Sequence, residues 1–103
     1  MSAAAADQPI PVLDMTDEQR ADFELARLSR YPHESERERL ERCRDTMARA
    51  AVQTLVETAQ DPAHWNFLGR LPDAIRLARV SAVLERRARE ALRAAQQLKA
   101  VAP

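Results

Sequence analysis

Positions 74, 77, 81, 84, 88, 91, 95 and 98 step along the chain in alternating threes and fours. They are Ala74, Leu77, Ser81, Leu84, Ala88, Ala91, Ala95 and Leu98. Such a step keeps every residue on one side of a helix. One half of this seam is small and the other mostly leucine, a pattern that suits close antiparallel packing against a second helix. Leu71-Pro72-Asp73 opens the segment, so the spacing predicts a helix over about 72–100. Arg79, Arg86 and Arg93 recur on its opposite, water-facing side.

A partner helix is predicted over about 36–60. Ser35-Glu36-Arg37-Glu38 is a capping box, and Asp61-Pro62 ends the pattern. Its first half, around Leu40 and Cys43, is charged on most sides. There the acid-first pairs Glu38–Arg42 and Asp45–Arg49 suit a solvated, salt-bridged face. Its second half is apolar over a wide arc, with Met47, Ala51 and Leu55 at the centre and Val52 and Val56 to one side. Between the two helices, residues 62–68 read as a short helical turn that Gly69 closes in a left-handed conformation. So short a connection makes the helices antiparallel neighbours. With Ala59 near Ala74, Ala51 falls opposite Ser81, Met47 opposite Leu84 and Leu40 opposite Leu92.

Upstream, Thr16-Asp17-Glu18-Gln19 begins a second capping box and a shorter helix over about 17–30, which Tyr31-Pro32-His33 breaks. Ala21, Leu25 and Leu28 form its apolar face. Pro9 and Pro11 bias residues 1–15 toward an extended or flexible arm. The expected fold is all-α: a long antiparallel helical hairpin with a shorter N-terminal helix and a helical turn, residues 16–103 forming one domain.

Composition narrows the function without stating it. The chain has 103 residues, one glycine and 4% aromatics, which argues against a sheet. Alanine supplies much of the 46% hydrophobic content, so the core is expected to be thin and association favoured. The formal net charge is zero, against a general nucleic-acid or acidic-membrane binder. No stretch reaches the ~18 to 20 apolar residues of a membrane span, and no secretory leader is evident, so a cytoplasmic location is expected. Cys43 is the only cysteine and reads as a small core residue. Cys43, His33 and His64 lack metal-ligand spacing, and no nucleophile–base pair or phosphate-cradling loop appears. No cofactor or catalytic residue is therefore assigned.

The shorter helix can roof only the charged half of the hairpin. Val52, Val56, Ile75, Val80 and Val83 then spread beyond one stripe and need a cover, which the 62–68 turn and the N-terminal arm of a monomer or another protein chain could supply. Burying a further ~600 Å² of apolar surface per subunit would contribute roughly 15 kcal/mol before association costs. The expectation is a non-enzymatic helical protein–protein interaction module (a small regulator, adaptor or chaperone-like protein) that forms a homodimer through those residues. Trp65 and Phe67 are candidate contacts for an unidentified protein partner, set against a structural role plugging the hairpin end. Trp65, Leu68 and Gly69 also match the W-x-x-L-G opening of a tetratricopeptide repeat, but Pro72 holds the tyrosine position and no second copy follows. The alternative is a small dimeric nucleic-acid-associated regulator with Arg79, Arg86 and Arg93 on phosphates.

Overall fold

The computed structural model describes residues 10–60 and 67–101, with no side chain described for residues 67–69. It is all-helical. Helix α1 spans Asp17–Arg27, α2 spans Glu36–Gln60 and α3 spans Phe67–Val101, preceded by a 3-10 turn at Val12–Asp14. Helices α2 and α3 form the hairpin, and α1 lies across it, chiefly against α3.

Both capping boxes form. Thr16 Oγ1 accepts from Gln19 N–H at 3.1 Å while Gln19 Oε1 accepts from Thr16 N–H at 2.9 Å. Ser35 Oγ accepts from Glu38 N–H at 3.1 Å, and Glu38 Oε1 accepts from Ser35 N–H at 3.3 Å. Each box satisfies two N–H groups that a helix start would otherwise leave open. The limits of α2 match those expected.

Helix α1 ends at Arg27, three residues before the expected Arg30. Leu28 is already extended, and its side chain packs on the core. Arginines of α2 satisfy carbonyls there: Arg39 Nη2 donates to the Leu25 carbonyl, and Arg42 Nη2 donates to that of Ser29 at 2.6 Å. With those acceptors met, the chain can leave the helix before Pro32 obliges it to.

The start of α3 also differs. The helix is under way at Phe67 and carries Gly69 and Pro72 inside it. No glycine among the described residues has positive φ, so Gly69 does not close a left-handed turn. Pro72 lacks an N–H, but so near the helix start this removes one bond and leaves the rest of the ladder intact. The proposed helical turn at 62–68 falls largely outside the described residues; its last two positions belong to α3. The register differs from the expected one by five to seven residues, about one and a half to two turns. Ser81, expected opposite Ala51, instead donates to the carbonyl of Arg44 at 3.0 Å, and Glu57 meets Arg70 at 3.2 Å.

The core lies where the three helices meet. Ala21 and Leu25 of α1, Leu40, Cys43 and Met47 of α2, and Val80, Leu84 and Ala88 of α3 form one cluster. Val80, Leu84 and Cys43 are its largest fully buried side chains. The α3 seam is covered from Ala74 to Ala91 and then outruns α2: Leu92 is exposed and Leu98 is 73% exposed. No described helix is long and apolar enough to cross a membrane.

Candidate functional site

The face of the hairpin away from α1 carries an open groove. Ala48, Ala51, Val52 and Leu55 line it from α2, and Leu71, Ala74, Ile75, Ala78 and Ser81 from α3. Its volume is 370 Å³. The cause is in the sequence. Four of these positions are alanine, and a methyl group cannot fill the space between two helix surfaces. Ala51 and Ala74 are buried at its base. The bulkier Val52, Leu55 and Ile75 stand 60%, 47% and 50% exposed, with Val56 at 41% just beyond them. The surface is thus both recessed and knobbed, and almost wholly apolar. Arg70 and Glu57 form an ion pair across one end.

Of the five residues predicted for self-association, Val52, Val56 and Ile75 are on exposed surface at or beside this groove. Val80 is not: it is fully buried in the core. Val83 packs against the same core. Chain length and connectivity alone set α1 over the half of the hairpin around Leu40, Met47 and Leu92. In the structure α1 reaches the middle of α3, with Asp17 bonded to Arg79 at 2.9 Å and Asp22 to Arg87 at 2.7 Å. That placement covers Val80 and Val83. Leu55, assigned to the hairpin centre, takes their place as exposed apolar surface. Leu71, Ala48 and Ala78 also line the groove. For Ala48 the signal is the run of apolar residues at 48, 51, 52 and 55 of α2.

The arginine stripe is not a free cationic surface. Arg79 pairs with Asp17, and Arg86 with Glu18. Arg87, which the sequence did not single out, pairs with Glu18 at 2.6 Å as well as with Asp22. These bonds, led by Arg86, hold the Glu18 carboxyl below its usual value. Two of the three proposed phosphate contacts therefore already face acids of α1, and among the described residues only Arg93 of the three has no ion pair. Their work in this structure is to fasten α1 to α3.

Cys43 is fully buried, and burial, followed by the nearby Glu24 carboxylate, pushes its thiol pKa up, away from a reactive thiolate. The charged half of α2 does form ion pairs, though not the expected ones. Glu38 caps Ser35. Arg42 turns back to grip Glu34 with two bonds of 2.7 Å and lies 4.1 Å from the centre of the Tyr31 ring. Asp45 pairs with its neighbour Arg44 at 3.0 Å. Arg44 also reaches Glu85 of α3. Trp65 and the side chain of Phe67 lie outside the described residues; the Phe67 backbone opens α3. Among the described residues no group of three His, Cys, Asp or Glu side chains is placed to hold a metal ion.

Comparison of the chain with protein-family models, with curated proteins and with solved structures gives no match.

Proposed function

We propose that this chain is a non-enzymatic helical interaction module of the regulator or adaptor kind, and that its groove face pairs with a second copy. The observation that carries the proposal is the exposed cluster of Val52, Leu55, Val56 and Ile75 around a floor of buried alanines. Patches beyond a few hundred Å² of contiguous apolar surface mark interaction sites on water-soluble domains.

Two features favour a second copy as the occupant. The first is thickness. The shortest extent of the molecule is 22 Å, which is two helical layers, and its radius of gyration of 17.4 Å exceeds the ~13 Å of a compact domain this long. One face of the hairpin has α1 as its second layer; among the described residues the groove face has none. The second is self-complementarity. Knobs and recess share one surface, so a two-fold axis through it would set Val52 and Ile75 of each copy against the alanines of the other. The product would be a four-helix bundle flanked by two copies of α1. Four exposed apolar side chains cover less than the ~800 Å² per partner of a standard interface, so polar rim contacts must supply the remainder. A dimer that dissociates on dilution is expected.

Sedimentation velocity over a wide concentration range tests this. Wild type should pass from one copy to two, and Val52→Arg and Ile75→Arg should stay monomeric with unchanged helicity. A wild type that remains monomeric throughout, or folded variants that still dimerise, would overturn the proposal.

A further inference from the structure

The elbow between α1 and α2 holds a separate concavity of 340 Å³, walled by Arg30, Tyr31, Pro32, Glu34, Glu36 and Arg39. Its unusual member is Arg39, only 7% exposed. Water no longer solvates such a guanidinium, so it is ordinarily faced by a carboxylate. Arg39 forms no ion pair among the described residues. Its Nη2 donates to the neutral carbonyl of Leu25, and its Nε is buried with no acceptor at all. Two of the nearby acids are engaged elsewhere, and the exposed Glu36 in the same wall makes no ion pair with Arg39. Arg42 takes both oxygens of Glu34. Glu24 holds Arg20 and Arg27, each at 3.2 Å.

Two further features of the cleft favour an anion. Arg30 is exposed in its wall and has no ion pair among the described residues. Helix α2 starts here, and capping by Ser35 takes the N–H of Glu38. The N–H groups of Glu36 and Arg37 have no acceptor within the helix, and the positive end of its dipole lies beside them. The local charges set the anion's valence. Glu34 and Arg42 cancel, leaving Arg30 and Arg39 against Glu36, an excess of one positive charge.

We propose that this elbow binds the carboxylate of a small monoanionic organic acid. The carboxylate completes Arg39, with Arg30 as the second cation and the Tyr31–Pro32 wall against the organic part. A dianion is disfavoured by Glu36. The site is independent of the groove and stands whether or not the chain dimerises.

An NMR titration of the ¹⁵N-labelled full chain tests it, using propionate, inorganic phosphate and chloride at constant ionic strength. Propionate should give saturable shifts at the Arg39 Nε–H and the backbone amides of Tyr31 and Glu36, stronger than phosphate gives. Arg39→Met should weaken binding at least tenfold but also removes the bond to Leu25. Arg30→Ala, at an exposed residue, should therefore keep the fold and weaken binding several-fold. Shifts that rise linearly, that chloride reproduces, or that Arg30→Ala leaves unchanged would overturn the site. Tighter binding of phosphate would overturn its assignment to carboxylates.

Discussion

Ser81 donates its hydroxyl to the backbone carbonyl of Arg44 at 3.0 Å, across the hairpin. This bond ties a side chain of α3 to the main chain of α2, so it depends on the two helices approaching closely at that point. Ser81→Ala should cost about 0.5–1.5 kcal/mol, the net worth of one hydrogen bond. Ser81→Leu should cost more, about 1–3 kcal/mol, because the larger side chain has to push the helices apart. Urea unfolding followed by circular dichroism measures both. A neutral Ser81→Leu would mean that the helices are not held in this register.

Leu84 and Leu98 belong to the same seam of α3 but differ in cover. Leu84 is fully buried and Leu98 is 73% exposed. Leu84→Ala should therefore destabilise by about 2–5 kcal/mol, combining lost transfer energy with a cavity. Leu98→Ala should stay within about 0.5 kcal/mol of wild type. Equal costs at the two positions would show that the end of α3 is covered in solution.

Cys43 is buried in the three-helix cluster, and its thiol is held above its usual pKa. In native protein at pH 8 it should react with an aromatic disulfide reagent only as fast as the fold opens. In denaturant it should react at the rate of a free thiol. Prompt labelling of the native chain would place the residue at the surface instead.

Acid should weaken the attachment of α1. Arg86, and after it Arg87, holds the Glu18 carboxyl below its usual 4.5, and Arg42 does the same for Glu34. A carboxyl whose folded pKa is depressed stabilises the fold above its unfolded value. That contribution is lost as pH falls from about 4.5 through the lowered folded pKa. Glu18 is solvated, so its effect is small. Thermal unfolding between pH 6 and 3 should show a fall that is shallower in Glu18→Gln. At neutral pH Arg87→Ala should lower the melting temperature and Arg93→Ala should not, since only Arg87 binds α1.

Several elements were legible in the sequence because their causes are local. The two capping boxes depend on residues three apart. The ends of α2 follow from Ser35 before it and Asp61-Pro62 after it. The seam from Ala74 to Ala91 follows from spacing. What spacing does not state is which neighbour covers an apolar face. Val80 and Val83 looked like spare surface because the position of α1 is set by distant pairs such as Glu18 with Arg86 and Arg87. Gly69 and Pro72 looked like a stop and a start, yet a helix tolerates both near its beginning once the residues beyond them pack. Arg39 was read as part of a solvated face, since nothing local distinguishes an arginine that turns inward to a carbonyl. The groove is half visible in the sequence: spacing marks Val52, Val56 and Ile75 as spare apolar surface, but it sets Leu55 at the hairpin centre, in a register five to seven residues from the one formed.

The clasp between α1 and α3 also has a consequence for the order of events as the chain is made. The apolar face of α1, Ala21 and Leu25, is covered by Leu84 and Ala88, and its acids by Arg86 and Arg87. All of these follow more than fifty residues later. At a translation rate of roughly 5–20 residues per second, α1 has only Leu40, Cys43 and Met47 of α2 to rest on for several seconds before α3 is complete. During that interval Leu25 is only partly covered and open to chaperones, and the nascent chain is at its most vulnerable.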